Sequence, residues 1–460
     1  MIHRLLIANR GEIALRIVRA ARELGMYSIV AHSEADSDSL AVQQADESIC
    51  IGPAQATKSY LNVEAVLNAA RQSRADAVHP GYGFLSENAD FARAVKAAGM
   101  VFVGPDAAII ERMGDKSRAR QTALEAGVPV VPGSPSAIRD LEEALAVAEA
   151  IGYPLLVKAA AGGGGRGIRI AEDAEALVKQ LPMAQTEART AFGDDRVYLE
   201  RFISRARHIE VQILGDGERA VHFFERECSL QRRRQKVFEE CPSPALDEAT
   251  RDALHRSAVA LAEHVGYFGA GTLEYLYDDL TGEFFFIEMN TRIQVEHPIT
   301  EAVTGVDLVR EMLRLARGEG LRFAQRDIQC RGWALELRIN AEDTERDFFP
   351  SPGQVQRLVW PTGPGVRIDS ALYEGYRMPP FYDSLVAKLI VWDECRDSAL
   401  RRACRALDEF KLEGFATTAA LHRRLLEDSE VRRGEVDTSF LERWLEGQTI
   451  PTPSEKEMVS

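Results

Sequence analysis

The sequence predicts an α/β fold that passes into α+β: a doubly wound parallel sheet, a small unit built around a glycine loop, and a larger mixed unit behind it. Three observations lead there. Short apolar runs alternate with helical periodicity through residues 5–103. Proline and glycine crowd the stretch Gly127-Val128-Pro129 to Pro135, as at a boundary. From about Phe202 to Glu446, strand-like and helix-like segments mix without an internal repeat.

The first strand is Leu5 to Ala8, a short buried-type run, with Asn9-Arg10-Gly11 as the turn behind it. Ala14, Ile17, Val18, Ala21 and Leu24 then recur at helical spacing until Gly25 stops the helix. Ser28 to Ala31 reads as the next strand. Ala77-Val78 leads into His79-Pro80-Gly81-Tyr82-Gly83, followed by a helix around Phe91 to Ala98 and the strand Val101-Phe102-Val103. Past the boundary, a helix near Leu141 to Ala150 precedes the strand Pro154 to Lys158. A loop with Gly162, Gly163, Gly164, Gly165 and Gly167 follows, then the strand Ile168 to Ala171. The division this implies is 1–114, a linker at 115–131, then 132–203, 204–446 and a tail at 447–460. Pro451 to Ser460 is polar and expected to fray.

Composition is that of an ordinary globular protein, 45% hydrophobic and 28% charged over 460 residues, so a sizeable core is available without staples. The net charge of −15 argues against binding DNA, RNA or an anionic membrane surface. Cys50, Cys228, Cys241, Cys330, Cys395 and Cys404 are scattered without CxxC spacing, which fits thiols in a reducing cytosol better than disulfides or a zinc site. The apolar run before Asn9 is too short for a signal-peptide core, and no stretch is apolar enough to span a membrane. A soluble, cytoplasmic protein is expected.

Four consecutive glycines suit a flexible linker. Here the run lies between two apparent strands and carries Arg166 and Arg169, so a mobile hairpin whose backbone N–H groups close over phosphate is the better reading. It is neither a Walker A loop nor a Rossmann fingerprint. Lys158, just before it, is a point charge for phosphate. Thr272–Tyr277 and Glu283–Met289 read as antiparallel strands joined by a turn, which sets Glu274 opposite residue 287 or 288. Asn290, two residues beyond Glu288, projects to the same face. Facing carboxylates repel unless a cation sits between them, and hard oxygen ligands with substrate phosphates suit Mg²⁺. Both glutamates facing solvent is the alternative, against which Phe284, Phe285, Phe286 and Ile287 make the strand look buried.

Arg292, Gln294 and Glu296 alternate along what reads as an extended segment, giving a cation, an amide and a carboxylate on one side. Such a set can hold a small planar anion and take its proton, although surface strands often alternate charges too. His297 lacks a partner at helical spacing and reads as a packing or capping residue rather than a metal ligand. Gln231-Arg232-Arg233-Arg234-Gln235-Lys236 is either a solvated basic loop or a local anion site, flanked by Glu225, Glu227, Glu239 and Glu240. Arg338 is a lone strand arginine whose role composition leaves open.

Together these segments resemble the biotin carboxylase family, the ATP-grasp component of biotin-dependent carboxylases. The resemblance rests on an ordered set covering nearly the whole chain: Ile7–Ala14, His79–Asn88, Met113-Gly114-Asp115-Lys116, Lys158 with the glycine loop, Arg207-His208-Ile209-Glu210, Gln231–Lys236, Glu288–Pro298 and Arg338–Asp343. It implies an N-terminal Rossmann-like domain, an ATP-grasp lid at 132–203, and an ATP-grasp core with a C-terminal biotin carboxylase domain at 204–446. It implies that Lys116, Lys158, Gly163, Gly164, Gly165, Glu200, Arg201, Ile203, His208 and Gln231 contact ATP, and that Glu274, Glu288 and Asn290 bind Mg²⁺ or Mn²⁺. Lys236, Arg292, Gln294 and Val295 would hold bicarbonate, with Glu296 as its base. Tyr82 and Arg338 would lie near biotin, Arg338 stabilising the enolate-like ureido oxygen.

The implied reaction is phosphorylation of bicarbonate to carboxyphosphate, followed by attack of deprotonated biotin N1′ on released CO2. Metals and lysines neutralise the developing charge, and the glycine loop excludes water from an intermediate that hydrolyses readily. Two departures stand out: Arg234 where family members often carry histidine, which puts nucleotide contacts there in doubt, and a longer Thr344–Phe348 segment. No Ala-Met-Lys-Met biotinylation motif is present, so biotin is expected on a separate carrier protein, with separate carboxyltransferase subunits and a homodimeric assembly. Acetyl-CoA is the commonest acceptor, with propionyl-CoA, longer acyl-CoAs and keto acids as alternatives. An ATP-grasp carboxylate–amine ligase shares the lid and metal carboxylates, and a nucleotide-sensing subunit without turnover is the non-enzymatic rival.

Overall fold

The structure, a computed structural model, describes residues 2–138, 140–159, 168–192 and 195–447. The chain forms two compact units. One takes in the chain up to Val128, Arg207–Tyr275 and the chain from Glu288; the other takes in Pro129–Ala206 and Leu276–Ile287.

The first unit opens with strands β1 (Arg4–Ile7), β2 (Tyr27–Ser33), β3 (Glu47–Gly52), β4 (Ala77–His79) and β5 (Val101–Phe102). All pair in parallel, in the order β3-β2-β1-β4-β5. The predicted doubly wound sheet is therefore present. Helix α1 (Gly11–Glu23) buries Ile13, Ala14, Ile17, Val18 and Ala21, the periodic residues of the sequence, and starts one turn earlier than that pattern begins. The strand order reverses at β1, so the chains leaving β1 and β4 diverge and open a crevice. There Asn9 Nδ2 donates to the carbonyls of Pro80 and Tyr82, each at 2.7 Å, locking two loops together.

The second unit contains β6 (Leu155–Ala159), β7 (Ile168–Ala171) and β8 (Val197–Arg201), an antiparallel sheet of order β7-β6-β8. Helices Leu141–Ile151 and Ala174–Phe192 accompany it, and Ala144, Ala148, Leu155, Val157, Leu177, Leu181, Val197 and Leu199 form its core. The glycines Gly162–Gly165 with Gly167 and Arg166, and the predicted tail from Pro451, lie outside the described residues.

The remaining strands are β9 (Ala206–Asp216), β10 (Ala220–Arg232), β11 (Gln235–Cys241), β12 (Phe268–Asp278), β13 (Phe284–Asn290), β14 (Trp333–Asn340), β15 (Glu342–Asp343), β16 (Phe349–Pro350), β17 (Arg357–Val359), β18 (Val366–Ser370), β19 (Leu385–Asp393) and β20 (Lys411–Glu413). An eight-stranded sheet runs β13-β12-β9-β10-β11-β14-β19-β18. Its two faces differ because side chains alternate along each strand. Leu335, Leu337 and Ile339 of β14 join Phe238, Leu389, Leu421, Leu425 and Phe440 in an apolar core. Glu336 and Arg338, the intervening residues, turn the other way, with Glu239 opposite Glu336 and Lys388 opposite Arg338. That charged face carries the site.

This packing makes two predictions. Gly81 has φ +64, and a Cβ there would lie 2.8 Å from Asn9 Nδ2. Gly81→Ala should cost about 1–3 kcal/mol, read as a lower denaturation midpoint. Glu227 is buried and held up to about 7 by that burial, against the pull of Arg207. The folded chain thus keeps a proton that the unfolded chain releases near 4.5. The associated stability is complete below the unfolded value and is lost as pH rises through about 7. Glu227→Gln should flatten the fall in unfolding free energy across that window.

Candidate active site

Lys236 sits on the charged face just after the turn joining β10 and β11. Its ammonium donates to Glu210 at 2.5 Å, Glu274 at 3.0 Å and Glu296 at 2.7 Å. Two strands and one turn thus converge on a single cation. Burial opposes the charge, but the three carboxylates outweigh it and hold the ammonium well above its usual range. Glu210 is closed from its other side by Arg226, which also bonds Gln212, Thr272 and Thr300 and is fully buried. Glu296 is bridged between Lys236 and Arg338 Nη2, the latter at 2.8 Å. Burial pushes its carboxyl up, yet Lys236, Arg338 and Arg226 pull it well below the carboxylate range, so it stands ionised and able to accept a proton. Arg338 also binds Glu239, whose carboxyl is raised by burial to about 7.

Glu274 and Asn290, placed on one face by residue counting, meet in the structure. Asn290 Nδ2 donates to Glu274 Oε1 at 2.8 Å, and His208 Nε2 lies 2.9 Å from Glu274 Oε2. Burial raises Glu274, but Lys236 and His208 dominate and lower it strongly. Glu288 behaves oppositely: burial and the nearby Glu274 charge raise it, only partly offset by Lys116 and His208. The Glu288 carboxylate makes no hydrogen bond or ion pair to another described residue. The Glu288 carboxylate is the oxygen group left over for a divalent cation, since Glu274 is bonded to Lys236, His208 and Asn290 Nδ2, and Asn290 Oδ1 to Arg292. Lys116, exposed at the start of helix Lys116–Glu125, supplies a cation on the same side.

The expected extended run from Arg292 to Glu296 is corrected. The segment bends and turns, and Glu296 caps helix His297–Thr304 with φ −82 and ψ 10. A run of alternating polarity can close into a turn wherever the following proline starts a helix. Arg292 and Gln294 still meet, at 3.1 Å, and Arg292 reaches Asn290 Oδ1 at 3.0 Å. Gln294 is buried, and its Nε2 has no hydrogen-bond acceptor, a donor left over for a ligand. Val295 follows, half-buried. His297 is buried with Nδ1 2.7 Å from the Gln294 carbonyl, a packing residue at the first position of the helix.

Tyr82 donates its hydroxyl to Glu12, and Arg338 lies near enough to oppose the rise in the Tyr82 pKa. The basic run does not form one anion site. Arg232 and Arg233 are taken by Asp347, the latter at 3.1 Å, and Arg232 also stacks on Phe348. Arg234 is exposed at the turn with φ +66, and Gln231 Nε2 bonds the Cys228 carbonyl. A two-residue turn splays successive side chains, so Lys236 alone reaches the carboxylates. The Thr344–Phe348 segment, through Asp347, is what holds the two arginines.

In the second unit, Lys158 pairs with Glu200 at 2.5 Å and Arg201 with Glu283 at 2.9 Å. Ile203 packs with Val131, Ala206, Leu276 and Phe285. Gly163, Gly164 and Gly165 lie outside the described residues. Sequence reasoning missed Glu87, which accepts from Arg292 Nε at 2.8 Å and the Thr291 N–H at 3.1 Å, as well as Glu210, Glu239 and Arg226. Glu87 and Glu210 lie inside the motifs singled out above, which was the available signal. His208, Glu210 and Cys228 bring ligand atoms within 4.8 Å of one another, and Arg226 and Lys236 already bond the two Glu210 oxygens.

Three family models match the chain: biotin carboxylase N-terminal domain over residues 1–110, carbamoyl-phosphate synthase L chain ATP-binding domain over 115–324, and biotin carboxylase C-terminal domain over 336–443. Biotin carboxylase 1 of Bacillus subtilis is 51% identical, across 96% of this chain and 99% of that protein. A pyruvate carboxylase subunit from Methanothermobacter thermautotrophicus is 46% identical, across 97% and 91%. The crystal structure of the Hydrogenobacter thermophilus 2-oxoglutarate carboxylase biotin carboxylase domain dimer, with MgADP and bicarbonate, superposes with a TM-score of 0.85. It is 45% identical and covers 96% of this chain and 98% of that one.

The repulsion between Glu274 and Glu288 yields a paired prediction. Without divalent cations, Glu288→Gln should raise the melting temperature by removing that repulsion. With Mn²⁺ added, the variant should gain less than wild type, read by thermal shift against Mn²⁺ concentration.

Proposed function

The chain belongs to the biotin carboxylase family of ATP-grasp, ATP-dependent carboxylases, and we propose that it carboxylates biotin presented on a separate biotin carboxyl carrier protein. ATP and bicarbonate are consumed, and biotin is the carried substrate. The observation that carries this reading is Glu296: a fully buried carboxylate kept ionised between Lys236 and Arg338. Beside it stand Arg292 and the spare Gln294 donor. That group is a base next to a site for a small planar anion.

The proposed course follows from those positions. Lys236, Arg292, Gln294 and Val295 hold bicarbonate, and Glu296 takes its proton as a bicarbonate oxygen attacks the γ-phosphorus, releasing ADP and forming carboxyphosphate. Carboxyphosphate then breaks into CO2 and phosphate, the released phosphate takes the biotin N1′ proton, and N1′ attacks the CO2. Arg338 stabilises the ureido oxygen, with Tyr82 alongside. Glu274, Glu288 and Asn290 would hold Mg²⁺ or Mn²⁺, which neutralises the phosphoryl charge when bound. Lys116, Lys158, Glu200, Arg201, Ile203, His208 and Gln231 are proposed for the nucleotide. Residues 132–203, including Gly163, Gly164 and Gly165, are proposed as the lid that excludes water.

Acetyl-CoA is the proposed final acceptor, through carboxyltransferase subunits and thus in fatty acid synthesis. Pyruvate and 2-oxoglutarate compete, since carboxylases named for both are nearly as similar as the Bacillus protein. A homodimer is proposed, supported by the dimer of the Hydrogenobacter domain. No helix of the described residues is long and apolar enough to cross a membrane.

ADP release should depend on bicarbonate and rise with free biotin; release driven by an amino acid instead would favour a ligase. Glu296→Gln should lower kcat by about 10²–10⁴-fold, the usual worth of a general base, measured in the same assay.

A further inference from the structure

Lys388 of β19 is fully buried and directly opposite Arg338 of β14 across the ladder. Two like charges so placed repel, and burying an ammonium costs several kcal/mol before any partner repays it. An apolar side chain would fill the space at lower cost, so its partners must account for the lysine. Nζ donates to the backbone carbonyl of Val295 at 2.9 Å. It lies 3.1 Å from Glu12 Oε1 in the first turn of α1, and 3.9 Å from Asp369 Oδ2 on β18. The same Glu12 oxygen accepts the Tyr82 hydroxyl.

One ammonium therefore joins two places that the sequence separates by more than two hundred residues: the turn between Gln294 and Glu296, and the loop bearing Tyr82. Asp369 is engaged by Arg367, at 2.8 and 2.7 Å, which leaves Val295 and Glu12 as the close contacts of Lys388. The Val295 carbonyl belongs to the peptide that carries the Glu296 N–H, so fixing it fixes where the Glu296 side chain begins.

We propose that Lys388 is a positioning residue. By holding the Val295 carbonyl and Glu12 together, it sets the bicarbonate turn in register with Tyr82, the residue read as lying near biotin. The inference rests on the biotin carboxylase reading and adds to it a residue that touches neither substrate. A purely structural lysine would serve only to neutralise Glu12, and the two roles separate by mutation. Lys388→Met removes both contacts and leaves Glu12 with the Tyr82 hydroxyl but no cation. Lys388→Met with Glu12→Gln removes the orphaned charge yet still lacks the bond to Val295.

The test is steady-state ADP release by the full chain with ATP, bicarbonate and free biotin, alongside thermal melting. In the double variant, melting should recover toward wild type while KM for bicarbonate stays roughly tenfold or more above it, the loss expected of one charge-assisted hydrogen bond. KM for ATP should stay within about twofold, since the nucleotide residues are untouched. A double variant with a wild-type bicarbonate KM, or one in which both KM values rise together, overturns the proposal. Wild-type ADP release that ignores bicarbonate would instead sink the biotin carboxylase reading itself, and that result needs no variant.

Discussion

A lysine ammonium surrounded by three buried carboxylates is tenable only if everything around it is already in place. Lys236 satisfies Glu210, Glu274 and Glu296, and those three come from β9, β12 and the turn after β13. Desolvating such a group is expensive, and removing one partner leaves an uncompensated charge behind. The neighbouring strands of the eight-stranded sheet are thus committed to their order by electrostatics as well as by hydrogen bonds. Arg226 and Arg338 complete the arrangement, each clamping a carboxylate that Lys236 already holds. The same crowding has a chemical product, because it keeps Glu296 ionised where an ordinary buried carboxyl would be neutral.

The site is built largely on strands, whose side-chain directions are set by the pleat, and the loops it needs are pinned. Asn9 holds the loop bearing Tyr82, Glu87 holds Thr291 and Arg292, and Lys388 holds Val295. Each pin reaches across a long sequence separation, and each pairs a charged or amide side chain with a backbone group or an opposite charge. Such bonds are short and directional, which suits a site that must place reacting groups closely. The apolar residues of β14 do the complementary work. Leu335, Leu337 and Ile339 anchor the opposite face of the sheet in a core, so that Arg338 and Glu336 have no freedom to turn away.

Much of this was legible one residue at a time. The period of Ala14, Ile17, Val18 and Ala21 identified α1, and the alternating apolar runs identified the parallel sheet, because those patterns report burial on one face. The turn after Tyr277 fixed the register that brings Glu274 toward Glu288 and Asn290, since antiparallel pairing from a short turn is a local matter. The run Arg292 to Glu296 was legible as chemistry but not as shape. Its alternation suggested a strand, and the Pro298 helix start instead folds it into a turn.

What the chain by itself determined, then, was the family, the elements and the carboxylate pair proposed for the metal, all of which depend on spacing along a strand or on short motifs. Which cation serves which carboxylate was decided only by the tertiary structure. Lys236 and the arginines beside it look alike in sequence, yet the turn sends Arg232 and Arg233 to Asp347 and only Lys236 to the carboxylates. Glu210, Glu239 and Lys388 are ordinary strand residues until β9, β11, β14 and β19 are assembled into one sheet. Charges interact through space, at a strength that depends on burial, and neither the distance nor the burial is written in residue order.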